Sequence, residues 1–102
     1  VEAATREKIP VAFTPGANAN AVAEQAVSLM LDIMKKNCVL SRKLMREKDY
    51  QCRLSVMNSE LRGKTVGVFG LGNIGRRVAE IVVWGFGAAI MIPMFLRRGL
   101  PP

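Results

Sequence analysis

The sequence predicts an α/β fold built on a parallel sheet, and three observations carry that prediction. A continuous apolar run, TVGVFG over residues 65–70, has the pattern of a strand covered on both faces, as strands of parallel sheets are. A glycine-rich loop, G-L-G-N-I-G, follows directly and holds Gly70, Gly72 and Gly75. Behind it, Ile74, Val78, Ile81 and Val82 fall on one face of a helix while Arg76, Arg77 and Glu80 fall on the other. With Ala88–Ile92 as the next strand, residues 64–92 read as one βαβ unit.

The elements before that unit follow in order. Glu2–Lys8 reads as a short helix end and IPVAF, residues 9–13, as a short strand that Thr14-Pro15-Gly16 breaks. Asn18 or Asn20 can then cap a helix with apolar residues at Val22, Ala26, Leu29, Met30 and Ile33. A second apolar line, Ala23, Val27, Leu31 and Met34, lies beside the first and leaves only Glu24, Ser28, Asp32 and Lys36 as a polar stripe. The helix over residues 18–37 is therefore expected to be buried around most of its girth. A helix of that kind must lie between other elements, and 102 residues hardly supply them, so the chain reads as a piece of something larger. Asn37–Tyr50 continues as a second helix or helical turn, and residues 51–62 as a surface connection ending at a turn on Gly63. No internal repeat is visible.

Composition excludes several classes. Ile81–Leu96 is the longest stretch without charge; its sixteen residues, broken by Gly85, Gly87 and Pro93, fall short of the roughly 20 that span a bilayer. The net charge of +7 is concentrated in residues 35–64, which hold nine Lys or Arg against Glu47, Asp49 and Glu60. A basic stripe of this kind can meet nucleic acid, but only Tyr50 is available there for base stacking and no nucleic-acid motif is matched, so a solvated connector is the preferred reading. Cys38 and Cys52 match no zinc spacing and are expected to be buried free thiols in a reducing cytoplasm. The chain has no histidine, which removes Cys-His and Ser-His catalysis and the commonest general base.

Each glycine of the loop has its own task if the loop holds a dinucleotide. Gly70 permits the tight turn out of the strand, Gly72 lets backbone approach a pyrophosphate, and Gly75 lets helix pack close to strand. The free amides of Asn73 and Ile74, at the positive end of the helix dipole, then point at phosphate oxygens, with Arg76 and Arg77 adding positive potential. This is not a P-loop, because no Gly-Lys-Ser/Thr follows, and nucleoside triphosphate hydrolysis is disfavoured. An acid is expected about 20 residues after the loop to hold the adenosine ribose, but Pro93, Met94 and Phe95 stand there. Either Arg97 and Arg98 meet the 2′-phosphate of NADP, or this end of the sequence is altered and holds no ribose. The second reading is preferred, since Pro93 would also remove a ladder donor.

Three strings, VEAATREKIPV, TPGANANAVAE and ELRGKTVGVFGLGNIGRRVAE, resemble the D-isomer-specific 2-hydroxyacid dehydrogenases, and most closely their phosphoglycerate dehydrogenase branch. The resemblance covers about residues 1–90. It implies a partial Rossmann-type nucleotide-binding domain inserted in a flavodoxin-like substrate domain, with NAD, or alternatively NADP, and a small 2-keto or D-2-hydroxy acid in the cleft between them. Residues 1–17 would end the first part of the substrate domain, the helix over 18–37 would cross into the nucleotide domain, and residues 18–102 would be part of that domain. The family's dimer interface lies in the nucleotide domain, which makes residues 35–60 expected homodimer interface. Gly70, Gly72, Asn73, Ile74 and Gly75 match the family's cofactor loop. Between Ile81 and Gly87 the chain is one residue longer than the family pattern, and the likeness fades at LRRGLPP. The family's catalytic Arg, Glu and His have no counterpart, so catalytic residues and metal ligands are expected to be absent and cofactor binding by the chain alone to be weak. The rival expectations are a standalone nucleotide-binding regulatory module and a basic nucleic-acid-binding fragment.

Overall fold

The structure, a computed structural model, describes residues 1–92. Its elements run α1 (Glu2–Arg6), α2 (Ala19–Lys35), α3 (Asn37–Met45), α4 (Cys52–Ser55), β1 (Thr65–Gly67), α5 (Asn73–Glu80), a π-turn over Ile81–Gly85, and β2 (Ala89–Met91).

α2 forms because its 17 residues are mostly strong helix formers, Ala, Leu, Met, Glu and Gln, with no interior Gly or Pro. Asn18 stands at its N-cap without a side-chain capping bond. The helix stops where Lys36 turns left-handed (φ 53°), and α3 starts at once, its direction fixed by Asn37 Nδ2 donating to Asp32 Oδ1 at 2.6 Å. Arg42 and Lys43 in α3 reach Glu47, and Lys43 also reaches Asp49, in exposed ion pairs of little energetic weight.

β1 and β2 pair in parallel, with Thr65 opposite Ala89, Val66 opposite Ile90 and Gly67 opposite Met91. Flanking bonds extend the ladder: the Ala89 N–H donates to the Lys64 carbonyl and the Val68 N–H to the Met91 carbonyl. α5 connects the strands, so the expected βαβ unit is present. α2 and α5 pack together over one face of the sheet, around a core of Ala23, Val27, Leu61, Val78, Val82 and Ala88. Burying a valine-sized side chain contributes about 1.5–3 kcal/mol, so a core of six mostly small residues is a modest one.

Several expectations are corrected. Residues 9–13 form no strand; Ile9, Val11 and Phe13 are exposed, because no strand among the described residues pairs with them to complete a ladder. α2 is not enclosed: Ala23 and Val27 are buried, whereas Leu29 and Ile33 on the opposite side are exposed, since the described residues cover one face only. The sheet is likewise covered on one face, and β1 is three residues long. Residues 51–62 are more than a surface connection. Cys52 and Leu61 are buried, and the Ser59 N–H donates to the Met34 carbonyl, which fastens this segment to α2. Cys38 is exposed rather than buried, and both thiols are free.

The extra residue between Ile81 and Gly87 is absorbed by the π-turn, which holds one residue more than the α-turn it replaces. Ile81 and Phe86 consequently lie against the same core, and Trp84 is expelled to 87% exposure. Among the described residues no helix is long and apolar enough to cross a membrane, and no group of three metal-ligating side chains converges. Met94, Arg97 and Arg98, which bear on ribose recognition, lie outside the described residues.

Candidate functional site

The glycine loop occupies the turn between the C-terminal end of β1 and the N-terminus of α5. Two of its glycines are required by the fold itself. Gly70 has φ +95°, a backbone conformation that side chains disfavour. A Cβ on Gly75 would overlap the Gly70 carbonyl group, so only glycine lets α5 approach the strand this closely. Gly72 is different. Its φ of −76° suits any residue, and a Cβ there would meet nothing within 4 Å.

The open space at Gly72 belongs to a cleft of about 600 Å³. One wall is the loop and the start of α5, including Phe69, Gly70, Gly72, Asn73, Ile74 and Gly75; the other is Gly16, Asn18 and Ala19 at the entrance to α2. All five sequence-predicted site residues line this one cleft. Asn73, Ile74 and Gly75 begin α5, where backbone N–H groups have no intrahelical acceptor and the helix dipole favours negative charge. No carboxylate is among the lining residues. A cleft with unused N–H donors, an accessible backbone at Gly72 and no opposing acid suits a diphosphate.

The two arginines do not project into that cleft. Arg76 Nε donates to the Leu71 carbonyl at 3.1 Å and steadies the loop. Arg77 Nε donates to Asn20 Oδ1 at 2.7 Å, and its Nη1 pairs with Glu80 Oε2 at 2.9 Å. The contribution of residues 16–19 to the site escaped sequence reasoning, which took Thr14-Pro15-Gly16 as a mere break. The one available signal was the placement of that turn directly before an apolar helix able to pack on the βαβ unit.

Residues 27–94 match the profile of the D-isomer specific 2-hydroxyacid dehydrogenase NAD binding domain. The D-3-phosphoglycerate dehydrogenase of Archaeoglobus fulgidus is 41% identical over 80 residues, 78% of this chain and 15% of that protein. The hydroxypyruvate reductase of Thermotoga maritima is 36% identical over 91 residues, 89% of this chain and 29% of its own length. The chain thus spans under a third of the length of these curated relatives. Among solved structures, the NAD-dependent formate dehydrogenase from Staphylococcus aureus in complex with NAD superposes with a TM-score of 0.75 at 28% identity, over 96% of this chain and 30% of that one. With the profile covering two-thirds of its residues and the glycine loop seated in a strand–loop–helix unit, the chain belongs to the D-isomer-specific 2-hydroxyacid dehydrogenases, an oxidoreductase family, and carries part of their NAD-binding domain.

Proposed function

We propose that this chain supplies the diphosphate-binding part of an NAD-dependent dehydrogenase acting on a D-2-hydroxy acid or the corresponding 2-keto acid. The observation that carries this reading is Gly72, where neither backbone conformation nor packing calls for glycine and only a ligand close to the main chain does. Gly70 turns the loop, Gly75 brings α5 against the strand, and the N–H groups of Asn73 and Ile74 donate to the diphosphate oxygens. The nicotinamide, when bound, supplies the hydride chemistry. NAD rather than NADP is favoured by the match to an NAD binding domain and by the NAD in the formate dehydrogenase neighbour.

The sequence contains no histidine, so the chain has no imidazole to move the substrate proton. We expect it to take up cofactor weakly and to reduce no 2-keto acid by itself. In the same reading residues 1–17 end the first part of a substrate domain and α2 crosses into the nucleotide domain. A second copy of the chain is the proposed partner, which the exposed apolar Leu29 and Ile33 on the outer side of α2 support. The two free thiols support a cytoplasmic setting.

Gly72→Ser tests the site. Serine is a good N-cap and restricts the unfolded chain, so thermal stability is expected to hold or rise slightly. Its side chain enters the cleft, and NADH affinity by titration calorimetry is expected to fall by about tenfold or more, a loss of at least about 1.4 kcal/mol. Unchanged NADH affinity in this variant would overturn the assignment, and turnover of a 2-keto acid by the chain above background would overturn the expected inactivity of the chain by itself.

A further inference from the structure

We propose that Asn20 and Arg77 are positioning residues for the cofactor cleft: the hydrogen bond between them holds the Pro15–Asn18 turn against the glycine loop and sets the width of the cleft. This rests on the cofactor reading above.

Arg77 Nε donates to Asn20 Oδ1 at 2.7 Å, joining positions 57 apart in the chain. The outer end of each partner is also fixed. Asn20 Nδ2 donates to Glu24 Oε1 at 2.6 Å on α2, and Arg77 Nη1 pairs with Glu80 Oε2 at 2.9 Å on α5. Nearer the cleft, Gly16 in the turn before α2 faces Asn73 at the start of α5, so closely that a Cβ on Gly16 would lie 3.3 Å from Asn73 Nδ2. Gly16 to Asn20 and Asn73 to Arg77 are both steps of four. The Pro15–Asn18 turn and the start of α2 therefore lie beside the start of α5, with contacts at Gly16–Asn73 and at Asn20–Arg77.

At the tip, Gly16 has no side chain with which to grip Asn73. The grip lies at the next contact, where the Arg77 Nε–H donates to the Asn20 amide oxygen at the surface. Arg77 is also absent from the cleft lining, and it borders Trp84 on the other side of α5 instead. Its charge is directed toward α2 and Glu80 rather than at a bound diphosphate. Loosening the bond lets the turn and the loop separate, and small displacements of positioning groups are costly to binding geometry.

The test separates the donor from the charge. In Arg77→Gln the side-chain amide nitrogen occupies the place of Nε and still donates to Asn20; in Arg77→Met an isosteric chain carries no donor. NADH affinity by titration calorimetry is expected to fall about fivefold in Arg77→Met and Asn20→Ala, and to stay near the parent value in Arg77→Gln. The double variant Asn20→Ala/Arg77→Met is expected to be no weaker than either single one. A loss in Arg77→Gln as large as in Arg77→Met would overturn the proposal, because the charge would then be what matters. Amide hydrogen exchange provides a readout independent of cofactor. The Ala17 and Ala19 N–H groups, which donate to the Thr14 and Gly16 carbonyls, are expected to exchange faster in Arg77→Met and not in Arg77→Gln. If that contrast appears in a chain that takes up no NADH, the clamp stands and the cofactor reading falls. If NADH binds and the contrast is absent, the clamp alone falls.

Discussion

Gly70, Gly72 and Gly75 stand within six residues of one another yet answer to three different constraints, of conformation, of ligand access and of packing. The last is the most severe. Gly75→Ala drives a methyl group into the Gly70 carbonyl, two backbone segments that cannot both give way, and is expected to destabilise the fold by about 3 kcal/mol or more in chemical denaturation. Lys36 is the opposite case, a side chain held at φ 53° where glycine or asparagine would be easy. Lys36→Gly is expected to stabilise the α2–α3 junction by about 0.5–1 kcal/mol, read as a rise in the denaturation midpoint. The glycine pattern was legible in the sequence because glycine loops have fixed spacing. The strain at Lys36 was not, since nothing in the order of residues marks a lysine as left-handed.

Among the elements, those marked by a pattern within their own residues were readable: α2 and α5 from apolar spacing, the turns at Gly16 and Gly63 from composition, and the two strands from apolar runs beside glycine. Elements that depend on distant neighbours were not. IPVAF has strand-like composition but no ladder partner among the described residues, and Leu61 lies in a polar stretch although the core needs it. The π-turn was visible as one surplus residue, while its outcome depended on Val78 and Val82 being held in place by α2. A surplus residue taken up locally should be removable. Deleting Trp84 is expected to convert the π-turn to α-helix and keep the β1–β2 register, with a thermal midpoint equal to or above the parent's and unchanged amide exchange protection at Val68 and Ala89. A midpoint lowered by many degrees would show that the extra residue is structural.

For the whole molecule, the radius of gyration of 20.4 Å exceeds the roughly 13 Å of a compact chain of about 100 residues. The core is small, and the described residues leave apolar faces of α2 and the sheet bare. Self-association is the expected result: sedimentation at rising concentration should show dimers, and Ile33→Glu should shift them to monomers without lowering stability, because Ile33 is 78% exposed in the single chain. Absence of concentration dependence would sink the homodimer. The exposed indole expelled by the π-turn offers an optical consequence. Trp84 is the chain's sole tryptophan, so every photon of intrinsic tryptophan emission comes from one water-bathed ring beside Arg77 and Glu80. The protein carries its own lamp, set for water, and a blue shift of that emission marks whatever comes to cover this side of α5.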